Sequence, residues 1–159
     1  MIKINDELLE NVSTKAKKSQ RKRKNHNFHE NASDTLQRML NAIEPETYVC
    51  PHKHENPDKI EVFILLKGKA LVVEFDNFGN ISDFVVLSHQ SGNFAVEIKP
   101  KIYHSIISLE TETVVYELKN GPYNVEDDKY FADWAPREGD FNCSDFNKKT
   151  VNKCLEKSV

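Results

Sequence analysis

The chain has few of the residues that mark extracellular or membrane-spanning proteins. It holds three cysteines among 159 residues, a sparse and odd number that predicts reduced thiols rather than a disulfide framework. No apolar run approaches the roughly 18 residues that a membrane helix needs, and the first residues contain no apolar stretch of signal-peptide length. We therefore expect a cytoplasmic protein with no membrane insertion.

The chain also lacks an overall excess of basic residues, since its net charge is −3. The charge is uneven, however. Residues 1–29 hold eight lysines and arginines against three acidic residues, a net charge of +5, and the remainder holds 14 against 22, a net charge of −8. Few aromatic residues lie among the basic ones, so we expect no nucleic-acid partner. A basic arm on an acidic body suggests an anionic ligand, or packing of the arm on its own body or on a second subunit.

Before residue 47 the pattern favours short helices and one polar segment. Residues 4–18 are predicted to form a helix capped by Asn5 or Asp6. Residues 34–43 are predicted to form a small helical turn or a loop, because their apolar residues fit a helical stripe. These residues are Leu36, Met39, Leu40 and Ile43.

From residue 47 onward the pattern changes to short strands. Apolar, β-branched segments separated by glycine or polar turns predict strands over 61–66, 70–75, 81–87, 94–98, 103–107 and 113–118. This spacing leaves no room for the helical crossovers of a parallel sheet. The sequence therefore predicts an antiparallel sandwich or barrel. Beyond residue 121 we expect an irregular aromatic flap packed by Tyr130, Phe131 and Trp134, then a tail that is a short helix or frayed.

Four residues stand out as candidate metal ligands. His52 and His54 would share one face of a strand, about 6.6 Å apart along the backbone. Glu61 begins the next strand, and His104 follows about fifty residues later, where a strand in a small barrel could return to the same place. Three imidazoles and a carboxylate suit one divalent ion such as Zn, Fe, Mn, Ni or Co, and leave an open coordination position. The alternative for His104 alone is an ordinary core or surface histidine.

The basic arm alternates in a way that also suggests a strand. Arg21, Arg23, Asn25, Asn27 and His29 share one parity, so a strand would place them on one face. That face would be suited to lining a polar cavity. The alternative is a solvated basic run.

Several motifs carry a resemblance to a known family. His52-x-His54, Glu61 and Gly68 resemble the first cupin motif, and His104 after Lys99-Pro100-Lys101 resembles the second. A narrower likeness runs from about residue 19 to residue 140, and it is to the WbuC family of cupin-fold metalloproteins. It rests on Arg21-Lys-Arg-Lys-Asn-His-Asn-Phe-His29, Gln37-Arg38-Met-Leu-Asn41-Ala, Thr47-Tyr-Val-Cys-Pro-His-Lys-His, Val96-Glu-Ile-Lys-Pro100, Glu117-Leu-Lys-Asn-Gly-Pro-Tyr123 and Asp128-Lys-Tyr-Phe-Ala-Asp-Trp-Ala-Pro136.

The resemblance implies a mainly all-β fold, a single cupin or jelly-roll barrel (double-stranded β-helix) with a short N-terminal helical segment. We expect an arm over 1–46 with short helices and a basic strand, a barrel core over 47–120, and an aromatic flap and tail over 121–159. It also implies that the arm motif, with Arg38, lines the mouth of the pocket. A planar guanidinium pairs well with a phosphate or carboxylate.

The family is associated with O-antigen and surface-polysaccharide gene clusters. We therefore expect an isomerase or epimerase that acts on a sugar phosphate or nucleotide sugar, with Glu61, if it is not a ligand, or Glu117 moving a proton. A non-catalytic binding module and a metal-dependent dioxygenase are the alternatives. Cys50 shares the parity of His52, so it either faces the metal or forms part of the wall. A homodimer is the default expectation for assembly.

Overall fold

The structure is a computed structural model, and it describes residues 1–156 as two antiparallel sheets with one helix near each end. The elements in chain order are α1 (Asp6–Lys18), β1 (Arg23–Asn27), β2 (Leu36–Ile43), β3 (His52–Lys53), β4 (Glu61–Lys67), β5 (Lys69–Phe75), β6 (Ile81–Ser88), β7 (Ala95–Ile98), β8 (Tyr103–Ser108), β9 (Thr113–Asn120), β10 (Tyr130–Phe131) and α2 (Cys143–Glu156).

Each sheet has five strands that come from distant parts of the chain. The first sheet has the order β1-β2-β9-β4-β7, and the second has the order β10-β3-β8-β5-β6. Among the strands of residues 1–156, only β1–β2 and β5–β6 join neighbours in sequence within a sheet; most other pairs cross from one half of the chain to the other. This is a jelly-roll arrangement, as the sequence predicted, and the strands expected between residues 61 and 118 are confirmed within about two residues.

The main core lies between the two sheets. Phe63 and Leu65 of the first sheet meet Val72 and Ile106 of the second, and all four are nearly inaccessible to solvent. Removing such side chains from water stabilises the fold by about 1.5–3 kcal/mol each. This apolar packing fills one part of the interior and leaves the polar part for the site.

Helix α1 covers the outer face of the first sheet. Asn5 caps it by accepting a hydrogen bond from the Leu8 amide at 3.2 Å, as the sequence predicted. Acidic residues occupy its first turn and lysines its last, which suits the helix dipole. Its apolar stripe of Leu9, Val12 and Ala16 packs on the sheet.

The prediction of a helical turn or loop over residues 34–43 is wrong, because this segment contains strand β2. Leu40 and Ala42 point outward against α1, whereas Met39 and Ile43 point into the interior. Apolar residues are thus buried on both faces, and this hides the two-residue alternation that identifies a strand. The basic segment before it does form a strand, β1, which pairs with β2. The first sheet therefore begins at Arg23 rather than near residue 47.

Residues 121–140, which we call the flap, pack across the open side of the second sheet. Trp134 contacts the rings of Phe75 and Tyr103, with centroids 5.2 and 5.8 Å apart. Helix α2 follows and seats Phe146 on the same cluster. The tail expected over 141–159 is thus helical through Glu156, and its last three residues lie outside the described part. Neither helix in residues 1–156 has the length and apolar character needed to cross a membrane.

Candidate functional site

Four buried side chains from three strands and one loop meet inside the barrel. His52 lies in β3, His54 just after it, Glu61 begins β4 and His104 lies in β8. The nearest ligand atoms of these residues all lie within 4.8 Å of one another, and each residue is at most 3% exposed. His52 and His104 are direct neighbours across β3 and β8. The four residues that the sequence selected as ligand candidates are therefore brought together.

Backbone carbonyls fix the orientation of all three imidazoles. The Nδ1 of His52 lies 2.9 Å from the Cys50 carbonyl oxygen, and the Nδ1 of His54 lies 2.5 Å from that of Asp128. The Nδ1 of His104 lies 2.9 Å from the Ile102 carbonyl oxygen. A carbonyl only accepts hydrogen bonds, so each Nδ1 carries the proton. Each Nε2 is then directed toward the centre of the cluster.

The Nε2 atoms of His52 and His54 are buried and have no hydrogen-bond partner among the described residues. Buried polar atoms normally have partners, so two unpartnered lone pairs that converge on one point indicate an electrophile between them. Burial, with the charges of Lys129 and His104 nearby, holds the pKa of His52 well below its usual value. His52 is therefore neutral, the form in which it binds a metal.

Glu61 supplies the anionic member of the cluster. Its Oε2 lies 2.7 Å from His104 Nε2 and 3.5 Å from His54 Nε2. Burial by itself would raise the pKa of this carboxyl, but the hydrogen bond with His104 and the nearby His54 imidazole outweigh burial and hold the pKa well below the usual value. Three imidazole nitrogens and one carboxylate oxygen match the donor set of Zn²⁺, Fe²⁺, Mn²⁺ or Ni²⁺. These residues fit one divalent ion, and Glu61 is placed to be one of its ligands.

A cavity of about 820 Å³ opens beside the cluster. Its wall includes His52, Glu61 and His104, and much of the remainder is polar. Five carboxamide side chains line it, those of Asn25, Asn27, Asn31, Gln37 and Asn41. Such a cavity is of the size that small-molecule sites have in proteins.

Glu117 is a carboxyl of the cavity wall that lies beside Glu61. It is 8% exposed, and it accepts a hydrogen bond from the Asn41 amide. Burial, followed by the negative charge of Glu61, raises its pKa to about 8. The pKa values of Glu61 and Glu117 are therefore driven apart, a feature typical of acid–base sites.

The basic arm reaches the cavity mouth, but its arginines already hold a partner. Arg21 donates two hydrogen bonds of 2.6 Å to Glu138 of the flap, and Arg23 donates one of 2.9 Å to the same carboxylate. Arg23 also donates to the Tyr48 carbonyl at 2.6 Å. Asn25, Asn27 and His29 line the cavity.

Arg38, expected beside these residues, is not among those that line the cavity. Its guanidinium instead donates to the Phe28 carbonyl at 3.0 Å. Cys50 lies in the wall and donates to the Pro136 carbonyl at 3.3 Å. Cys50 is not part of the histidine cluster, so of the two alternatives the structure shows the wall residue.

Sequence reasoning missed three buried charged residues near the cluster. Asp128 accepts from Lys59 at 2.8 Å and from Lys119 at 2.6 Å, and all three are at most 4% exposed. Charged residues are normally on the surface, and these three are separated by up to 69 positions, so no local pattern identifies them.

The jelly-roll arrangement of the two sheets and the central cluster define a cupin-fold protein with a site suited to a metal ion. Similar solved structures include KdgF from Halomonas sp., with a TM-score of 0.50 and 15% identity over 65% of this chain and 83% of that one. L-ribose isomerase from Cellulomonas parahominis has a TM-score of 0.55 and 13% identity over 71% of this chain and 70% of that one. The capsular polysaccharide assembling protein CapF from Staphylococcus aureus has a TM-score of 0.52 and 21% identity over 67% of this chain, but only 28% of that one.

A family profile with the description "Domain of unknown function (DUF6016)" matches residues 4–87, just over half of the sequence. The chain therefore belongs to the DUF6016 family. No curated protein matches it. The identity to the solved structures is low, so those likenesses establish the shared fold alone.

Proposed function

We propose that this protein is a metal-dependent isomerase or epimerase that acts on a sugar phosphate or nucleotide sugar. One observation carries the proposal: a buried carboxyl with a raised pKa, Glu117, lies beside Glu61 of the metal-type cluster, and both face the same polar cavity. The arrangement supplies the two parts that proton transfer next to a carbonyl needs, an electrophile and a group that exchanges protons near neutral pH.

The residues divide the work as follows. His52, His54, Glu61 and His104 would hold one divalent ion, which when bound polarises a carbonyl or hydroxyl oxygen as a Lewis acid. Glu117 takes or returns a proton on the substrate carbon, because a pKa of about 8 leaves both of its forms populated near neutral pH. Asn41 holds the Glu117 carboxyl in place.

The lining of the cavity favours a hydroxyl-rich ligand. Carboxamides both donate to and accept from hydroxyl groups, and five of them line the cavity. The buried Oδ1 of Asn41 has no partner among the described residues, so it is available to accept from a substrate hydroxyl. The L-ribose isomerase neighbour has the same fold, which makes sugar isomerisation a chemistry that this fold accommodates.

The anionic group of the ligand is assigned to the mouth of the cavity. Arg21 and Arg23 already bind a carboxylate there, which shows that the two guanidinium groups can share one anion. A phosphate would take the place of Glu138. Arg38 is not assigned to the ligand, because it does not line the cavity.

The motifs that resemble the WbuC family support a finer proposal, a role in O-antigen or surface-polysaccharide synthesis. The likeness to CapF, which is a capsular polysaccharide assembling protein, agrees with that role, although it covers about a quarter of CapF. Cytoplasmic location, the homodimer and the division into arm, core and flap stay predictions.

The proposal is tested by incubating protein loaded with Zn²⁺, Mn²⁺, Ni²⁺ or Fe²⁺ with a panel of sugar phosphates and nucleotide sugars in D₂O. We expect deuterium to enter one carbon-bound position of one substrate, and Glu117→Gln to abolish the exchange without abolishing binding. Binding with no exchange would favour a non-catalytic module. Oxygen uptake confined to the Fe²⁺ protein would favour a dioxygenase.

A further inference from the structure

His54 differs from the other two histidines in what holds it. The Nδ1 atoms of His52 and His104 donate to carbonyls two residues earlier in the chain, those of Cys50 and Ile102. His54 donates instead to the carbonyl of Asp128, which lies 74 residues away in the flap. The direction of the His54 ring therefore depends on where the flap places one carbonyl group.

Asp128 is held by two buried lysines. Its Oδ1 accepts from Lys59 at 2.8 Å and its Oδ2 from Lys119 at 2.6 Å. Lys59 also donates to the Pro122 carbonyl at 2.6 Å, so it holds the flap at a second point. The Lys59 side chain is only about 1% exposed, and its ammonium group has no role in the proposed chemistry.

The two lysines come from elements that also position the cluster. Lys59 precedes β4, which begins with Glu61, and Lys119 lies directly opposite Glu61 across β4 and β9. The flap is thus attached next to Glu61, the ligand candidate at the start of β4. A buried aspartate between two buried lysines is well satisfied, whereas removal of Lys59 leaves the Oδ1 of Asp128 without its partner.

We propose that Lys59, Lys119 and Asp128 form a positioning strap that holds the flap carbonyl against His54 and so presents His54 Nε2 to the metal. Among the three imidazoles the strap orients His54 alone, because the other two are held by carbonyls two residues before them in the chain. This inference rests on the proposed metal site, although it concerns the residues that orient a ligand rather than the ligands themselves. Outer partners of this kind typically change metal affinity 10- to 100-fold.

A double-mutant cycle tests the strap. Affinities for Co²⁺ and Zn²⁺ are measured by chelator competition on tag-free wild type, Lys59→Met, His54→Ala and the double variant. We expect Lys59→Met to weaken binding at least tenfold in the wild-type background and to have no further effect once His54 is absent. The visible spectrum of the Co²⁺ protein should shift toward that of His54→Ala. Lys101→Met is the matched control, because that lysine is 59% exposed and pairs with Asp58 on the surface.

Equal losses in both backgrounds, or no loss at all, would overturn the strap. Should Lys59→Met fail to fold, Lys59→Met combined with Asp128→Asn removes one charge of each sign and takes its place in the cycle.

Imidazole ¹⁵N spectra of the metal-free protein give an independent reading. We expect His54 to be the Nδ1–H tautomer in the wild type and a tautomer mixture in the strap variant, while His52 is the same in both. A His54 signal that is the same in the wild type and the strap variant would contradict the strap. A wild type that binds neither metal would count against the proposed metal site, and the spectra would still test the strap.

Discussion

His104 and Glu61 face each other across the interior, with 2.7 Å between Nε2 and Oε2, and they come from different sheets. Because the Nδ1–H of His104 donates to the Ile102 carbonyl, a hydrogen bond between Nε2 and Glu61 needs a second proton on the pair. A metal ion bound by both residues has to displace that proton.

Metal uptake should therefore release about one proton per ion, and the association constant should fall as the pH is lowered. Calorimetry of Zn²⁺ binding in buffers of different ionisation enthalpy measures the release directly. An affinity that is constant from pH 6 to pH 7.5 would contradict the placement of the ion between His104 and Glu61.

Glu117 should make the metal-free protein less stable as pH rises. Its folded pKa of about 8 lies above the ordinary value of 4.5, so the folded state retains a proton that the unfolded state has lost. The depressed pKa of His52 makes the folded protein less stable as the pH falls below 6.5, the ordinary pKa of histidine. The effect of Glu117 is therefore measured above pH 6.5.

Between pH 6.5 and pH 8 the free energy of unfolding should fall by about 2 kcal/mol. Glu117→Gln keeps an acceptor for Asn41 and should remove this slope. Urea unfolding in the presence of a chelator measures both proteins, and parallel pH profiles for the two would show that Glu117 is not the source.

The clasp formed by Arg21, Arg23 and Glu138 should compete with an anionic ligand. Glu138→Gln frees the two guanidinium groups, and we expect it to tighten binding of glucose 1-phosphate or inorganic phosphate several-fold. Asp133→Asn is a matched control, because it removes one flap carboxylate that faces Arg137 instead. Titration calorimetry compares the wild type with the Glu138→Gln and Asp133→Asn variants. If Glu138→Gln binds phosphate no more tightly than the wild type, the mouth of the cavity is not the anion site.

Gly68, in the turn between β4 and β5, should tolerate no side chain. Its φ is +79°, and an added Cβ would lie 2.8 Å from the Thr113 backbone and 2.5 Å from Thr113 Oγ1. We expect Gly68→Ala to lower the free energy of unfolding by about 2 kcal/mol. Gly92→Ala is the comparison, because the same positive φ occurs there with open space around the Cβ, so it reports backbone strain without the steric clash. Equal losses for the two variants, measured by urea unfolding, would show that contact with Thr113 adds nothing.

The sequence was informative where one local rule applied. His52 and His54 lie two apart, so a strand places them on one face, and the strands from 61 to 118 alternate or run apolar between clear turns. β2 was misread because Leu40 packs on α1 while Met39 faces the interior, so both faces are apolar.

The remaining features of the site depend on distant partners. Arg21 and Arg23 were predicted to share one face, but no nearby residue in the sequence predicts that both form ion pairs with Glu138. The pairing of Lys59 with Asp128 likewise joins residues 69 positions apart. Both residues look like surface charges in the sequence, yet both are buried in the fold.

The central claim is that His52, His54, Glu61 and His104 hold one divalent ion. The most direct measurement is metal stoichiometry, by elemental analysis and titration with Zn²⁺ and Co²⁺, on protein purified without a histidine tag. We predict one ion per chain in the wild type, and none in the His52→Ala, His104→Ala double variant with its apo fold intact by circular dichroism. A wild type that binds neither metal, or a double variant that keeps its ion, would contradict the account.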